Sequence, residues 1–242
     1  MNGEKIKDMG VVIAAGGSGE RFVSRQNGNK LLADIGNTPV FMCSVIRFME
    51  VCPIENIIIV VPYFSEDDFK KSLSVHPGAS AIKIVHGGKT RMDSAYQGLL
   101  MLPETLKFAA VQDAARPLIT KDLILSSYKF AKAHGSAVVG KKMADTVKKA
   151  DGNGFVLEDV NREGLWAVET PQVFKRQLLI DAYEKAFEEN FAVTDDAGVM
   201  KYAGHAVKMF EYRGKNTKIT YNTDLSGIMD YITLAKHKGR HS

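Results

Sequence analysis

The sequence predicts an α/β protein with a mostly parallel, Rossmann-like sheet and helices on both faces. Three observations point there. Aliphatic runs alternate with helical patterns through the first half of the chain. Glycine-rich or polar clusters follow those runs, as in "AAGGSG", "HGGK" and "QDAAR". The chain has 242 residues, 45% hydrophobic and 25% charged. That length suits a single domain over 1–242, burying roughly 70–75% of its unfolded surface.

The elements follow in order. Val11–Ala15 reads as a short buried strand. In "TPVFMCSVIRFMEVC", Phe41, Val45, Phe48 and Cys52 recur at helical spacing. Thr38 is expected at the N-cap and Pro39 at the first helical position. "NIIIVVP" is rich in β-branched residues, which predicts a strand buried on both faces. "SEDDFKKSL" sets Ser65 and three acids at a helix start, where the dipole favours them. "AIKIV" is a strand and "TRMDSAYQGLLML" a helix. "FAAVQDA" is again a strand. "TKDLILSSYKFAKAHG" is a helix capped by Thr120 and stopped by Gly135. "SAVVG" is a strand.

There the rhythm breaks. "DTVKKADGNGFVLEDV" predicts two short strands around a turn at Asp151-Gly152-Asn153-Gly154, hence a protruding β-arm at about 144–165. "RQLLIDAYEKAFEEN" is helical, with Leu179, Tyr183 and Phe187 on one face. "AVKMFEY" and "TKITY" read as late strands and "DLSGIMDYITLAK" as a closing helix.

Bulk properties narrow the function. The net charge is +4 and the basic residues are scattered, which argues against nucleic acid as a partner. No apolar run is long enough to span a membrane, so no membrane partner is expected. The start "MNGEKIKDMG" lacks the apolar stretch of a signal peptide. Cys43 and Cys52 share one helical pattern, so buried free thiols are expected, and a cytoplasmic location with them.

In open α/β sheets, ligands bind beyond the carboxyl ends of the strands. Gly16–Arg21, Gly87-Gly88 and Asp113–Arg116 each follow a predicted strand, so the three clusters should meet on one edge. Gly16, Gly17 and Gly19 would let backbone N–H groups approach an anion, a plain tight turn being the alternative. The Walker A pattern is absent. The dinucleotide fingerprint fails because Phe22 stands where its last glycine belongs, which argues against an oxidoreductase. Arg21 and Lys30 follow closely and can aim cations at phosphate oxygens, or form surface ion pairs. Asp113 suits a ribose hydroxyl, a magnesium ion or a helix cap. Arg91 and Ser94 share a helix face just after Gly88.

The set "AAGGSGERF" with the later Lys30, "GGKTRMDS", "DAARP", "DTVK", "NREGLWAVETPQVF", "VTDDA" and "NTKIT" resembles the 2-C-methyl-D-erythritol 4-phosphate cytidylyltransferase family of nonmevalonate isoprenoid biosynthesis. The resemblance runs from about Val11 to Leu234. It implies that CTP and methylerythritol phosphate react to the CDP-sugar alcohol and pyrophosphate, with Mg²⁺ or another divalent cation. It also implies roles. Ala14, Ala15, Gly16 and Gly17 would lie along the nucleotide, with Arg91 nearby. Gly88 and Ser94 would read the cytosine, and Asp113 would serve the ribose or the metal. Arg21 and Lys30 would sit on the phosphates. Thr146, Arg162, Thr170, Thr194 and Lys218 would surround the polyol phosphate, with Arg116 supporting the site. Arg21, Lys30, Arg162 and Lys218 would be the catalytic cations. The arm would cross to a second subunit, so that Thr146 and Arg162 complete the site of a homodimer partner.

The pattern has departures. "NGNKLL" lacks the family's usual Pro before the lysine and Gln after it, which bears on the local loop shape. Gln112 stands where His is usual, and "KKMADT" replaces a proline-containing run. A ribitol-5-phosphate cytidylyltransferase is the near alternative, and "LWAVETPQVF" favours methylerythritol phosphate. A non-catalytic nucleotide-binding regulator is the alternative of another class, and the presence of both Arg21 and Lys30 weighs against it.

Overall fold

β1 (Met9–Ala14) is apolar along nearly its whole length because both its faces are covered. The computed structural model, which describes residues 5–16 and 29–238, places it between two parallel neighbours, β2 (Ile57–Val61) and β4 (Phe108–Asp113). β3 (Lys83–His86) extends the sheet beyond β2, also in parallel. On the far side of β4 come β8 (Trp166–Lys175), β5 (Ser136–Lys142) and β9 (Met209–Glu211). The order of the seven-stranded sheet is β3-β2-β1-β4-β8-β5-β9. Every pairing is parallel except those of β8, which runs antiparallel to both β4 and β5.

Alternate side chains of each strand face opposite helical layers, as the period of two requires. Met9, Val11 and Ile13 pack with Phe41 and Phe48 of α1 (Val40–Val51), Phe69 of α2 (Glu66–Ser74) and Leu123 of α4 (Lys121–His134). Ile228 of α7 (Asn222–Lys238) joins that layer. Val12, Ile58 and Val60 pack with Leu99 of α3 (Arg91–Leu100), Tyr183 of α5 (Arg176–Glu188) and Val199 of α6 (Asp196–Tyr202). Among the described residues no helix is long and apolar enough to cross a membrane. Cys43 and Cys52 are free thiols in or against the α1 layer, and burial pushes them up to about 11 and about 12.

The expected elements hold, with five corrections. α1 starts one residue later than expected: Pro39 takes the cap position in place of Thr38, and no side chain caps the helix. Ser65 caps α2 without a side-chain hydrogen bond, because a short 3₁₀ turn over Tyr63–Ser65 already leads into the helix. "AVKMFEY" shrinks to β9, and "TKITY" forms no strand at all. β8 and α6 are additional. In β8, Glu169-Thr170-Pro171 interrupts the apolar alternation, and proline cannot donate to a ladder. The structure accommodates it at an irregularity: β5 shifts register between Val138 and Gly140, and the pairing with β4 ends at Gln172. The expected hairpin is present as β6 (Val147–Ala150) and β7 (Val156–Val160), which among the described residues pair only with each other. Its turn is fixed by the Asp151 carboxylate, which accepts from the Asn153 and Phe155 amides at 2.9 Å each.

Gly98 is where α3 meets the sheet most closely. A Cβ there would lie 2.4 Å from Val12 Cγ1 and 2.7 Å from Val60 Cγ2. Both valines are stiff and fully buried. In an exposed helix interior, glycine to alanine stabilises by roughly 0.5–1 kcal/mol. Here Gly98→Ala should instead destabilise by about 1–3 kcal/mol through overpacking. Denaturant unfolding measures this, and a rise in stability would contradict the packing described.

Candidate active site

The sheet order reverses between β1 and β4: the chain winds outward from β1 through β2 to β3, then returns to the other side of β1. The crevice at such a reversal is where α/β sheets bind ligands. Ala14 and Asp113 are register partners at that edge. The loop after β3 closes on it. A Cβ at Gly16 would approach Ser94 Oγ to 3.0 Å, and one at Gly87 to 2.6 Å. The glycines thus let two loops pack against one buried serine. Ser94 Oγ donates to the Thr90 carbonyl at 2.9 Å, and Thr90 starts α3 in a reciprocal cap with Asp93. At Gly88 a Cβ would collide with Asp93 at 2.3 Å, so the cap and the glycine require each other.

Asp113 is the centre of charge. Its Oδ2 pairs with Lys218 Nζ at 2.8 Å and with Arg116 Nε at 3.5 Å, while Arg91 Nε stands 3.7 Å from Oδ1. Its backbone N–H donates to Thr170 Oγ1 of β8 at 3.0 Å. Burial alone would raise the pKa of this carboxyl, but Lys218, Arg91 and Arg116 outweigh it and hold the group below the usual carboxylate range.

The segment over residues 216–219 explains why "TKITY" is not a strand: its polar groups are already used. The buried Asn216 donates to the Thr170 carbonyl at 2.7 Å and to Glu169 Oε2 at 3.0 Å. Its own carbonyl accepts from Arg116 at 2.7 Å. Ile219 N–H donates to the Ala115 carbonyl at 2.8 Å, and the Ile219 carbonyl accepts from Lys30 Nζ at 3.1 Å. The segment therefore bonds Lys30 through one of its carbonyls and Asp113 through the side chain of Lys218. Lys30 rides on a 3₁₀ turn whose cap is Asn29, with Oδ1 accepting from Leu31 N at 3.0 Å. Asn29 has φ −65°, the value a proline ring would impose. The atypical "NGNKLL" therefore keeps a turn that proline would also allow.

A second layer lies behind Arg91. Arg91 Nη2 pairs with Asp196 Oδ2 at 2.7 Å, and the Tyr183 hydroxyl donates to Asp196 Oδ1. Asp196 holds the Arg91 guanidinium well above its ordinary pKa, against the pull of burial. The neighbouring Asp195 caps α6 through Gly198 N at 2.9 Å and accepts from Gln172 Nε2 at 2.9 Å. Gln172 Oε1 in turn accepts from Ala197 N at 2.9 Å. β8 thus fixes α6, and α6 fixes Arg91.

A family model for 2-C-methyl-D-erythritol 4-phosphate cytidylyltransferase matches residues 9–233. The chain belongs to that family. The enzyme of that name from Caldanaerobacter subterraneus is 37% identical over 220 residues, covering 89% of this chain and 94% of the relative. The one from Alkaliphilus oremlandii is 33% identical over 238 residues, covering 98% and 100%. Among solved structures, the 4-diphosphocytidyl-2C-methyl-D-erythritol synthase of Anaerococcus prevotii superposes with a TM-score of 0.77 at 28% identity, covering 94% of this chain and 99% of that one.

Set against the family motifs, the structure brings together Ala14, Ala15, Gly16, Gly88, Ser94 and Asp113 at the strand ends, and Arg91, Arg116 and Lys218 around Asp113, with Lys30 on the carbonyl of Ile219, next to Lys218. Gly17 and Arg21 lie outside the described residues. Arg116 and Thr170 are buried and make internal contacts. Thr194 is exposed just before α6. Thr146 and Arg162 sit at the root of the arm, where Arg162 donates to the Ala144 carbonyl and helps line a cleft of about 630 Å³ with Lys142, Asn161 and Trp166. Asn216, Gln172, Asp195, Asp196 and Tyr183 were not anticipated. All but Tyr183 stand inside the motifs "NTKIT", "TPQVF" and "VTDDA", so the signal was present without its partners.

Asp113 binds its proton less tightly when folded than when unfolded. Its contribution to stability is therefore fully present above the ordinary carboxylate range and is lost as pH falls through its lower folded value. Asp113→Asn should destabilise the protein at pH about 7, and the gap to the parent should shrink towards pH about 3. Urea titrations at both pH values check this, and a gap that is constant or widens in acid would contradict it.

Proposed function

We propose that this protein transfers the cytidylyl group of CTP to 2-C-methyl-D-erythritol 4-phosphate in isoprenoid biosynthesis. One observation carries the reading: at the switch point of a family-typical sheet, Lys218 pairs with Asp113, and Lys30, from a distant part of the chain, bonds the carbonyl of the adjacent Ile219. A phosphate oxygen of the polyol phosphate bonds to the α-phosphorus of CTP as the bond to the bridging oxygen of the β-phosphate breaks. Pyrophosphate leaves with that oxygen, and the product is 4-diphosphocytidyl-2-C-methyl-D-erythritol. The nucleophile is already an anion, so no general base is required.

The difficulty is to bring two anions together and to stabilise charge at phosphorus, which falls to positioning and fixed positive charge. Lys30 and Lys218 supply that charge from the described residues, and Arg21 supplies more by resemblance. Gly16, Gly88 and Ser94 form the floor for the base, with Ala14, Ala15 and Gly17 along the nucleotide. Thr194, Thr146 and Arg162 serve the polyol phosphate. Arg116 and Thr170 act from below by holding Asp113. A divalent cation fits the donor set. Mg²⁺ commonly uses one or two carboxylates and completes its shell with phosphate oxygens and water. Asp113 Oδ1 has Arg91 at 3.7 Å, outside hydrogen-bond range, so this oxygen would be the one to hold such a ligand. When bound, the cation would offset triphosphate charge.

The arm supports a homodimer. A lone two-stranded hairpin is marginal in water, and this one exposes Phe155, Val156 and Leu157 by 72, 62 and 61%. A second copy would cover them and receive Arg162. The free, protonated thiols of Cys43 and Cys52 suit a reducing cytoplasm.

Pyrophosphate release tests the reaction. It should require CTP together with methylerythritol phosphate and be at least roughly 100-fold slower with ribitol 5-phosphate, the scale reached when buried polar contacts go unpaired. Equal rates, or preference for ribitol 5-phosphate, would reassign the substrate, and no release with either would remove the enzymatic reading. Subunit mixing tests the arm. Lys30→Ala and Arg162→Ala homodimers should both be inactive. After exchange, about half the dimers are mixed, and each has one site with neither defect, so roughly a quarter of parental activity should return. No recovery despite exchange seen by mass spectrometry would mean that each arm serves its own chain.

A further inference from the structure

Asp196 is fully buried, comes from a different element than the rest of the charge cluster, and has no part in the chemistry derived above. Both its oxygens are committed: Oδ1 to the Tyr183 hydroxyl and Oδ2 to Arg91 Nη2 at 2.7 Å. A buried carboxylate is costly unless paired, so this pair holds its geometry. Among the described residues Arg91 links Asp196 to the crevice, since the same guanidinium reaches Asp113 Oδ1 at 3.7 Å. The two distances differ in kind. At 2.7 Å Arg91 makes a charge-assisted hydrogen bond, whereas at 3.7 Å it makes none.

We propose that Asp196 is a positioning residue for the nucleotide half of the site, holding Arg91 back so that Asp113 Oδ1 stays available to the nucleotide or its cation. The proposal rests on the reading of Asp113 as a nucleotide or cation ligand. Without the Asp196 charge, the nearest anion left to Arg91 is Asp113. Its fork would close on Oδ1 and compete with the incoming ligand. Lys218 already occupies Oδ2 at 2.8 Å, with Arg116 Nε beside it at 3.5 Å, so neither oxygen would be free. Tyr183 acts one step further out by orienting the Asp196 carboxylate, and the Asp195–Gln172 contacts fix the backbone that presents it.

The test compares CTP affinity by calorimetry and both KM values in Asp196→Asn, Tyr183→Phe, Arg91→Gln, Asp113→Asn and the Asp196→Asn/Arg91→Gln pair. Asp196→Asn should raise the CTP Kd and KM roughly 10- to 100-fold, the cost of misplacing a site group, and leave the polyol phosphate KM within about two-fold. Tyr183→Phe should move the same quantities in the same direction by less. The double variant should be no worse than the worse single, because Asp196 acts through Arg91. A merely structural role for Asp196 would shift both KM values alike and add to Arg91→Gln. Either result, or an unchanged CTP Kd in Asp196→Asn, would overturn the proposal. Should Asp196→Asn fail to fold, Tyr183→Phe decides alone, and an unchanged CTP Kd there overturns it. Asp113→Asn separates the two readings. If it too leaves CTP affinity unchanged, the role of Asp113 as a ligand is wrong. If it weakens CTP binding while Asp196→Asn does not, only the positioning role is wrong.

Discussion

The constraint on which the site depends is one carboxylate shared among three cations. Asp113 stands at the end of a central strand, and Lys218, Arg116 and Arg91 reach it from the strap at 216–219, the turn after β4 and the start of α3. A charge at that depth is tolerated only when it is paired from several sides. Each pairing therefore recruits a separate piece of chain. Arg116 brings Asn216, Asn216 brings β8, and β8 brings α6 through Gln172. Polar bonds that lead back to this group thus tie the strap, β8 and α6 to one another.

Electrostatics and packing divide the work. Two apolar layers make the sheet rigid, with faces set by the alternation of Val11, Val12 and Ile13. That rigidity fixes the strand ends, and the glycines there let backbone segments approach Ser94 closely. On such a frame, small cationic groups can be aimed within a few tenths of an ångström, which is what an electrostatic mechanism demands.

The first half of the fold was legible because its strands are β-branched and its helices carry caps and apolar periodicity. The clusters at the strand ends were legible for the same reason: they fall where the pattern breaks. Three features of the second half were not. β8 carries Pro171 and polar neighbours, so its alternation is masked, and its pairing depends on partners 24 to 67 residues away in sequence. α6 has only seven residues, and besides its local cap Asp195 its first turn is held by Gln172, 25 residues before Ala197. "TKITY" has strand-like alternation, yet its groups bond to Ala115, Lys30 and Asp113 instead of a ladder. Asp196 was hidden too, because its partner Arg91 lies 105 residues away. Lys218 and Thr170 could be named from motif resemblance, but what they hold could be seen only in three dimensions.

The account makes Asp113 the point at which nucleotide, cations and scaffold meet. A crystal structure with CTP bound tests this most directly. It should show a ribose hydroxyl or a triphosphate-bound cation against Asp113 Oδ1, Lys218 still paired with Oδ2, and Arg91 still on Asp196. A nucleotide seated away from the β1–β4 crevice, with Asp113 enclosed by its three cations and touching no ligand, would contradict it.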